Sequence, residues 1–146
     1  MESLRVVRLD SRARLPLRAT AGAAGADLFA LLDEPLMLRL GDRALVPTGI
    51  AAAISEGLVG LVFARSGLAI KHGLALSNGV GVIDSDYRGE IKVGLINQGA
   101  EPYTIQPFER IAQLVLVPAA ALPIVEVDAL DDTARGSGGF GSSGKQ

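Results

Sequence analysis

The chain has 146 residues, 49% hydrophobic but only 4% aromatic, with a formal net charge of -2 at pH 7. That length fits one domain around an aliphatic core of Val, Ile, Leu and Ala, and the charge lacks the Lys and Arg excess that would neutralise a nucleic-acid polymer. With no cysteine, and His72 as the single histidine, neither a disulfide framework nor a Cys/His metal cage can form, so any metal must be held by oxygen.

The N-terminal MESLRVVRLDSRARL scatters charge through its apolar positions. No segment approaches the ~20 continuous apolar residues of a membrane span, so a cytoplasmic protein without a membrane partner is expected. Along the chain the apolar runs are short: LRVVRL, PLMLRL, ALVPTGIAAAI, GLVGLVFA, GLAL, EIKVGLIN, YTI and RIAQLVLVP. Turn residues such as Gly41-Asp42, Asn78-Gly79 and Asn97-Gln98-Gly99 separate them. Their length and β-branched content predict strands, hence an all-β sandwich or barrel.

Polar clusters interrupt this pattern. In Ala24-Gly-Ala-Asp-Leu28, Asp27 either caps a turn or is buried among small residues, where it needs a partner. In Phe63-Ala-Arg-Ser-Gly-Leu-Ala69 a strand runs into Arg65, Ser66 and Gly67. Guanidinium, hydroxyl and an accessible amide can together hold a phosphate, although an ordinary turn has the same composition. Residues 66–73 carry the one helical turn expected after the N-terminal third, opening at a Ser and closing at a Gly.

Next comes Asn78-Gly-Val-Gly-Val-Ile-Asp-Ser-Asp-Tyr-Arg-Gly89. A tight turn at Asn78-Gly79 predicts a hairpin whose backbone edge could read a flat heterocycle. Strand alternation would put Asp84 and Asp86 on one face and Ser85 on the other; the alternative is a solvated acidic turn. Alternation is clear in Glu90-Ile-Lys-Val-Gly-Leu-Ile-Asn97. Leu114-Val-Leu-Val117, by contrast, is uniformly apolar, as in a strand covered on both faces and in contact with another subunit. Gln113, just before it, suits either an interface or a ligand. From about Asp131 the chain becomes Gly/Ser-rich and flexible in composition. Its end, RGSGGFGSSGKQ, matches a phosphate loop through Lys145, but the hydroxyl position is Gln146 and no helix follows, so that reading fails and Lys145 is left out of any site.

Taken in order, AGADL, ARSGLA, GVIDSDYRG, ERIAQLV and RGSGGFGSSG resemble the five motifs of the homotrimeric deoxyuridine triphosphatases (dUTPases), from about residue 24 to 144. The resemblance implies a jelly-roll type β-barrel over residues 1–130 and a mobile C-terminal arm over 131–146, with three subunits sharing three sites. It implies hydrolysis of dUTP to dUMP and pyrophosphate, which limits uracil in DNA and supplies dUMP for dTMP synthesis. Asp84 then takes the place of the base that activates water against the α-phosphorus, with Asp86 in support. Asn78, Gly79, Val82 and Ile83 would read uracil, and Tyr87 would lie under the deoxyribose, with Lys92 beside them. Arg65, Ser66, Gly67 and Gln113 would bind phosphates, and Asp27 would hold Mg2+ through water. From the arm, Arg135 would act on the phosphates, Phe140 would stack on uracil, and Gly141, Ser142 and Ser143 would complete the lid. Ala64 stands where many members have Pro and Ser143 where many have Thr; neither change removes a reacting group. His72 falls outside the implied chemistry. A dCTP deaminase of the same superfamily would use a glutamate and a different C-terminal region, and a non-catalytic regulator would not need the complete motif set.

Overall fold

The computed structural model describes residues 3–144, so Lys145 and Gln146 lie outside the described residues. The elements are β1 (Arg5–Arg8), β2 (Ala26–Phe29), β3 (Leu36–Leu38), β4 (Arg43–Pro47), β5 (Ile50–Ala53) and β6 (Leu58–Phe63), then helix α1 (Ser66–His72). After it come β7 (Leu74–Leu76), β8 (Gly81–Ile83), β9 (Lys92–Asn97), β10 (Tyr103–Ile105) and β11 (Arg110–Pro118). Each predicted apolar run yields a strand. ALVPTGIAAAI yields two, β4 and β5, because Thr48-Gly49 turns the chain between them.

All pairings between strands are antiparallel. The sheets run β2-β11-β6-β8, β4-β9-β7, β1-β5 and β3-β10, and together form an all-β, jelly-roll type barrel. In β9 burial alternates as the sequence does, with Val93, Leu95 and Asn97 inward and Lys92 outward. β11 is central in its sheet, flanked by β2 and β6; within its apolar run Leu114 is buried and Val115, Leu116 and Val117 are half-buried. The core is aliphatic, with Leu28, Val46, Ile50, Leu74, Val93, Leu95, Ile105 and Ile111 almost wholly enclosed. Buried polar groups are paired: Thr48 donates its hydroxyl hydrogen to the Ile91 carbonyl, and Asn97 bonds to three backbone groups. No helix among the described residues is long and apolar enough to cross a membrane.

Three local expectations are corrected. Helix α1 does not open with a Ser cap. Arg65 is its N-cap, extended at φ -85° and ψ 132°, and Ser66 is already in the first turn, one step too late for its hydroxyl to serve as the capping acceptor. Gly73 closes the helix in the left-handed region at φ 71°, where a side chain would also run into the backbone of Gly99.

The turn at Asn78-Gly79 does not make a hairpin, because β7 joins the β4-β9 sheet whereas β8 joins β6. The left-handed Gly79, φ 73°, turns a corner between two sheets instead. Nor does strand alternation reach Asp86. β8 stops at Ile83, and the Tyr87 N–H donates to the Asp84 carbonyl at 3.2 Å, closing a turn that exposes both Asp84 and Asp86.

Past Pro118 the described chain carries no further strand. Residues 119–144 are exposed apart from a half-buried Gly138.

Candidate active site

Two cavities gather most of the residues singled out in the sequence. The first, about 480 Å³, is lined by Asn78, Val82, Ile83, Asp84, Tyr87 and Lys92, together with Leu45, Gly81, Glu90 and others. Its wall exists because β8 is an edge strand. It bonds to β6 on one side, so its other backbone edge keeps donors and acceptors available. Asp84 follows directly on that edge, and its exposed carboxylate has no hydrogen-bond or ion-pair partner among the described residues.

Neighbouring contacts fix the rest of this cavity. The Tyr87 hydroxyl donates to the Glu90 carbonyl at 2.9 Å, and its ring lies against Gly89. Arg88 braces the Asp84 turn from outside, its Nη1 donating to the carbonyls of Ser85 and Tyr87 at 2.7 and 2.9 Å. The Glu90 carboxylate accepts from the Gly49 N–H at 2.9 Å and faces the Lys92 ammonium at 3.6 Å. Glu90 went unassigned in the sequence; only the return of the chain to Gly49 reveals its part.

The second cavity, about 370 Å³, is lined by Asp27, Arg65, Ser66, Gly67 and Gln113 with small residues 19 and 23–25. Gln113 on β11 is in register with Asp27 on β2 and with Phe63 on β6, so Gln113 and Asp27 stand side by side in its lining. The Gln113 amide nitrogen donates to the Ala64 carbonyl at 3.1 Å and thereby holds the chain at the start of the Arg65-Ser66-Gly67 turn. Of the two readings of Asp27, the buried one holds: it is a strand residue only 8% exposed. Its Oδ1 accepts from Arg65 Nε at 3.1 Å and its Oδ2 from Arg110 Nη1 at 3.2 Å. Arg110 lies inside the ERIAQLV motif but received no role there; its partner is 83 positions away in sequence.

The two cavities are set apart on one sheet: Asp27 lies on its β2 edge and Arg65-Ser66-Gly67 follow the inner strand β6, whereas Asp84 follows the β8 edge at the other end of the β6-β8 pair, where Ile83 stands beside Gly60. With order β2-β11-β6-β8, three strand spacings, about 14 Å, separate Asp27 from β8. Gly79 sits in the corner turn before the first cavity. Arg135, Phe140, Gly141, Ser142 and Ser143 line neither cavity. They occupy a run of short turns closed by hydrogen bonds such as Gly138 N–H to the Arg135 carbonyl and Ser142 N–H to the Gly139 carbonyl, with the Phe140 ring fully exposed.

The family model for dUTPase matches residues 11–144. A deoxyuridine 5'-triphosphate nucleotidohydrolase of Desulfitobacterium hafniense (strain DSM 10664 / DCB-2) is 53% identical over 149 aligned residues, covering 99% of both chains. Among solved structures, a mutant dUTPase of Staphylococcus bacteriophage 80alpha with dUpNHpp superposes with a TM-score of 0.90 at 30% identity, over 99% of this chain and 100% of that one. A mutant dUTPase from phage phi11 of S. aureus, described with a structural Mg(II) ion, superposes with a TM-score of 0.78 at 28% identity, over 88% of this chain and 98% of that one.

Proposed function

The chain belongs to the dUTPase family, whose members hydrolyse dUTP to dUMP and pyrophosphate, and from that premise we propose how its own residues divide the reaction. The observation that carries the proposal is the exposed Asp84 carboxylate standing directly beyond the unpaired edge of β8, in one cavity. Uracil pairs with that edge and with Asn78. Cytosine would leave these groups unpaired, and the enclosing wall of Val82 and Ile83 leaves no room for a thymine methyl. Tyr87, tethered through its hydroxyl to Glu90, lies under the deoxyribose and excludes a 2′-hydroxyl.

Asp84 orients a water molecule and takes its proton as the oxygen attacks the α-phosphorus. The bond from that phosphorus to the bridging oxygen breaks, and pyrophosphate leaves. Arg65, Ser66, Gly67 and the remaining amide capacity of Gln113 bind the phosphates by charge, hydroxyl and N–H. Lys92 adds a cation beside the nucleotide.

Mg2+ fits the donor set only as an outer-sphere ion. Asp27 spends one lone pair of each oxygen on an arginine and keeps the others for metal-bound waters. When bound, the ion holds the triphosphate in one conformation and offsets charge on the leaving group.

Asp84 and Arg65 leave opposite ends of the β6-β8 pair, Ile83 standing beside Gly60, five residues or about 17 Å along the chain from Arg65, yet water activation and phosphate binding must meet on a single triphosphate. This supports a homotrimer in which one copy supplies the β8 cavity and another the Asp27-Arg65 cavity. The exposed apolar surface of Val7 and Leu9 suits burial by other copies. The arm over 131–146 closes on a third copy's behalf: Phe140 stacks on uracil, and Arg135, Gly141, Ser142 and Ser143 reach the phosphates and exclude water. A pyrophosphate-release assay on Asp84→Asn tests the base. Turnover should fall by at least about 100-fold while dUpNHpp binds within a few fold of wild type; near-normal turnover would refute it.

A further inference from the structure

We propose that Arg110 is a positioning residue that keeps Arg65 open toward the phosphates by withholding one oxygen of Asp27 from it. The inference rests on the reading of the Asp27-Arg65 cavity as the phosphate site, and deepens it.

Left alone with a carboxylate, a guanidinium pairs as a fork, two N–H groups on two oxygens. Asp27 and Arg65 do not pair that way. Oδ2 is taken by Arg110 Nη1 at 3.2 Å, so Arg65 reaches only Oδ1, through Nε at 3.1 Å. A third bond, from Arg65 Nη1 to the Arg110 carbonyl at 3.3 Å, closes a ring of the three residues. Of the five N–H groups on Arg65, two are spent inside this ring and three remain. Two guanidinium groups against one carboxylate also leave a single positive charge at the wall of the cavity, the sign a triphosphate requires. Without Arg110 the charge cancels, and Asp27 can draw Arg65 into the fork.

The backbone leading to Arg110 is built at a cost. Phe108, two residues earlier, has φ 62°, a left-handed conformation unusual for a large side chain. It is held by its N–H to the Ala30 carbonyl at 2.8 Å and by the Arg14 guanidinium 4.6 Å over its ring. The register of β11 against β2 then shifts between Arg110 and Ala112. A strained turn and a bulge in succession are the devices that re-aim one side chain, and here the side chain re-aimed is the one that meets Asp27.

Binding of dUpNHpp, measured by calorimetry in a double-mutant cycle, tests the role. Arg110→Gln should weaken binding by about tenfold, the loss of roughly one charge-assisted contact. In an Asp27→Asn background, which has no carboxylate to draw Arg65 away, the same substitution should cost less than about twofold. Arg110→Lys, which keeps a cation on Oδ2, should bind within about threefold of wild type. The Arg110 side chain is 45% exposed, so the melting temperature should barely move. An equal loss in both backgrounds would overturn the proposal in favour of direct phosphate contact, and failure of Lys to rescue would overturn it as well. Arg65→Gln separates the premise: if that variant weakens binding and Arg110→Gln does not, only the positioning role falls, whereas if both are silent the phosphate reading itself falls.

Discussion

Asn97 illustrates what a single residue contributes beyond its type. It is fully buried at the end of β9, where its amide donates to the carbonyls of Leu38 and Glu101 at 3.0 and 2.9 Å and accepts from the Gly99 N–H at 2.9 Å. In the sequence Asn97-Gln98-Gly99 is legible as a turn, and the turn is there. The burial is not legible, because the Leu38 carbonyl arrives from 59 positions away. Asn97→Ala strands these backbone groups in a dry environment and is expected to cost about 3 kcal/mol, measured by urea unfolding; a loss below about 1 kcal/mol would mean that water replaces the amide. Asp27 follows the same logic: its need for a partner could be read from composition, but the identity of both arginines could not.

At the scale of elements, apolar runs and glycines predicted where strands begin and end better than how they pair. The strand at residues 81–83 was legible, yet the corner at Gly79 sends it to a different sheet from β7, and that choice leaves one of its backbone edges unpaired. Helix α1 was legible too, but its cap moved to Arg65, whose extended backbone continues from β6 while its side chain reaches Asp27. The last stretch behaves as an element apart, with backbone hydrogen bonds among residues 133–144 that close only local turns. Truncation before Arg135 should therefore leave the thermal unfolding midpoint within a few degrees of wild type and lower turnover by about tenfold or more. Retained turnover in the truncated protein, measured by pyrophosphate release, would remove the arm from the mechanism.

At the scale of the whole molecule, Tyr103 ties β10 to the turn that enters β11. Its hydroxyl donates to the Glu109 carboxylate, its ring lies 4.8 Å from that of His72, and Glu109 also accepts from the Gln106 N–H at 2.8 Å. Burial, then the hydrogen bond and charge of Glu109, push the Tyr103 hydroxyl from an ordinary value of 10.0 up to about 12. A folded-state value above the unfolded one favours the protonated, folded form. This contribution is complete below about pH 10 and is lost as pH rises from 10 to 12. The difference in stability between wild type and Tyr103→Phe should accordingly shrink across that window, as measured by chemical denaturation; a constant difference would refute the linkage. By itself the sequence determined the all-β class, the aliphatic core and most strand positions, because these follow from composition and local periodicity, whereas β2 lies in no predicted apolar run and the roles expected of the motif residues came from a family resemblance. The tertiary structure alone decided which motifs share a cavity, which strand edge stays open and which arginine divides the oxygens of Asp27, because each depends on register between segments tens of residues apart, where no local pattern carries the information.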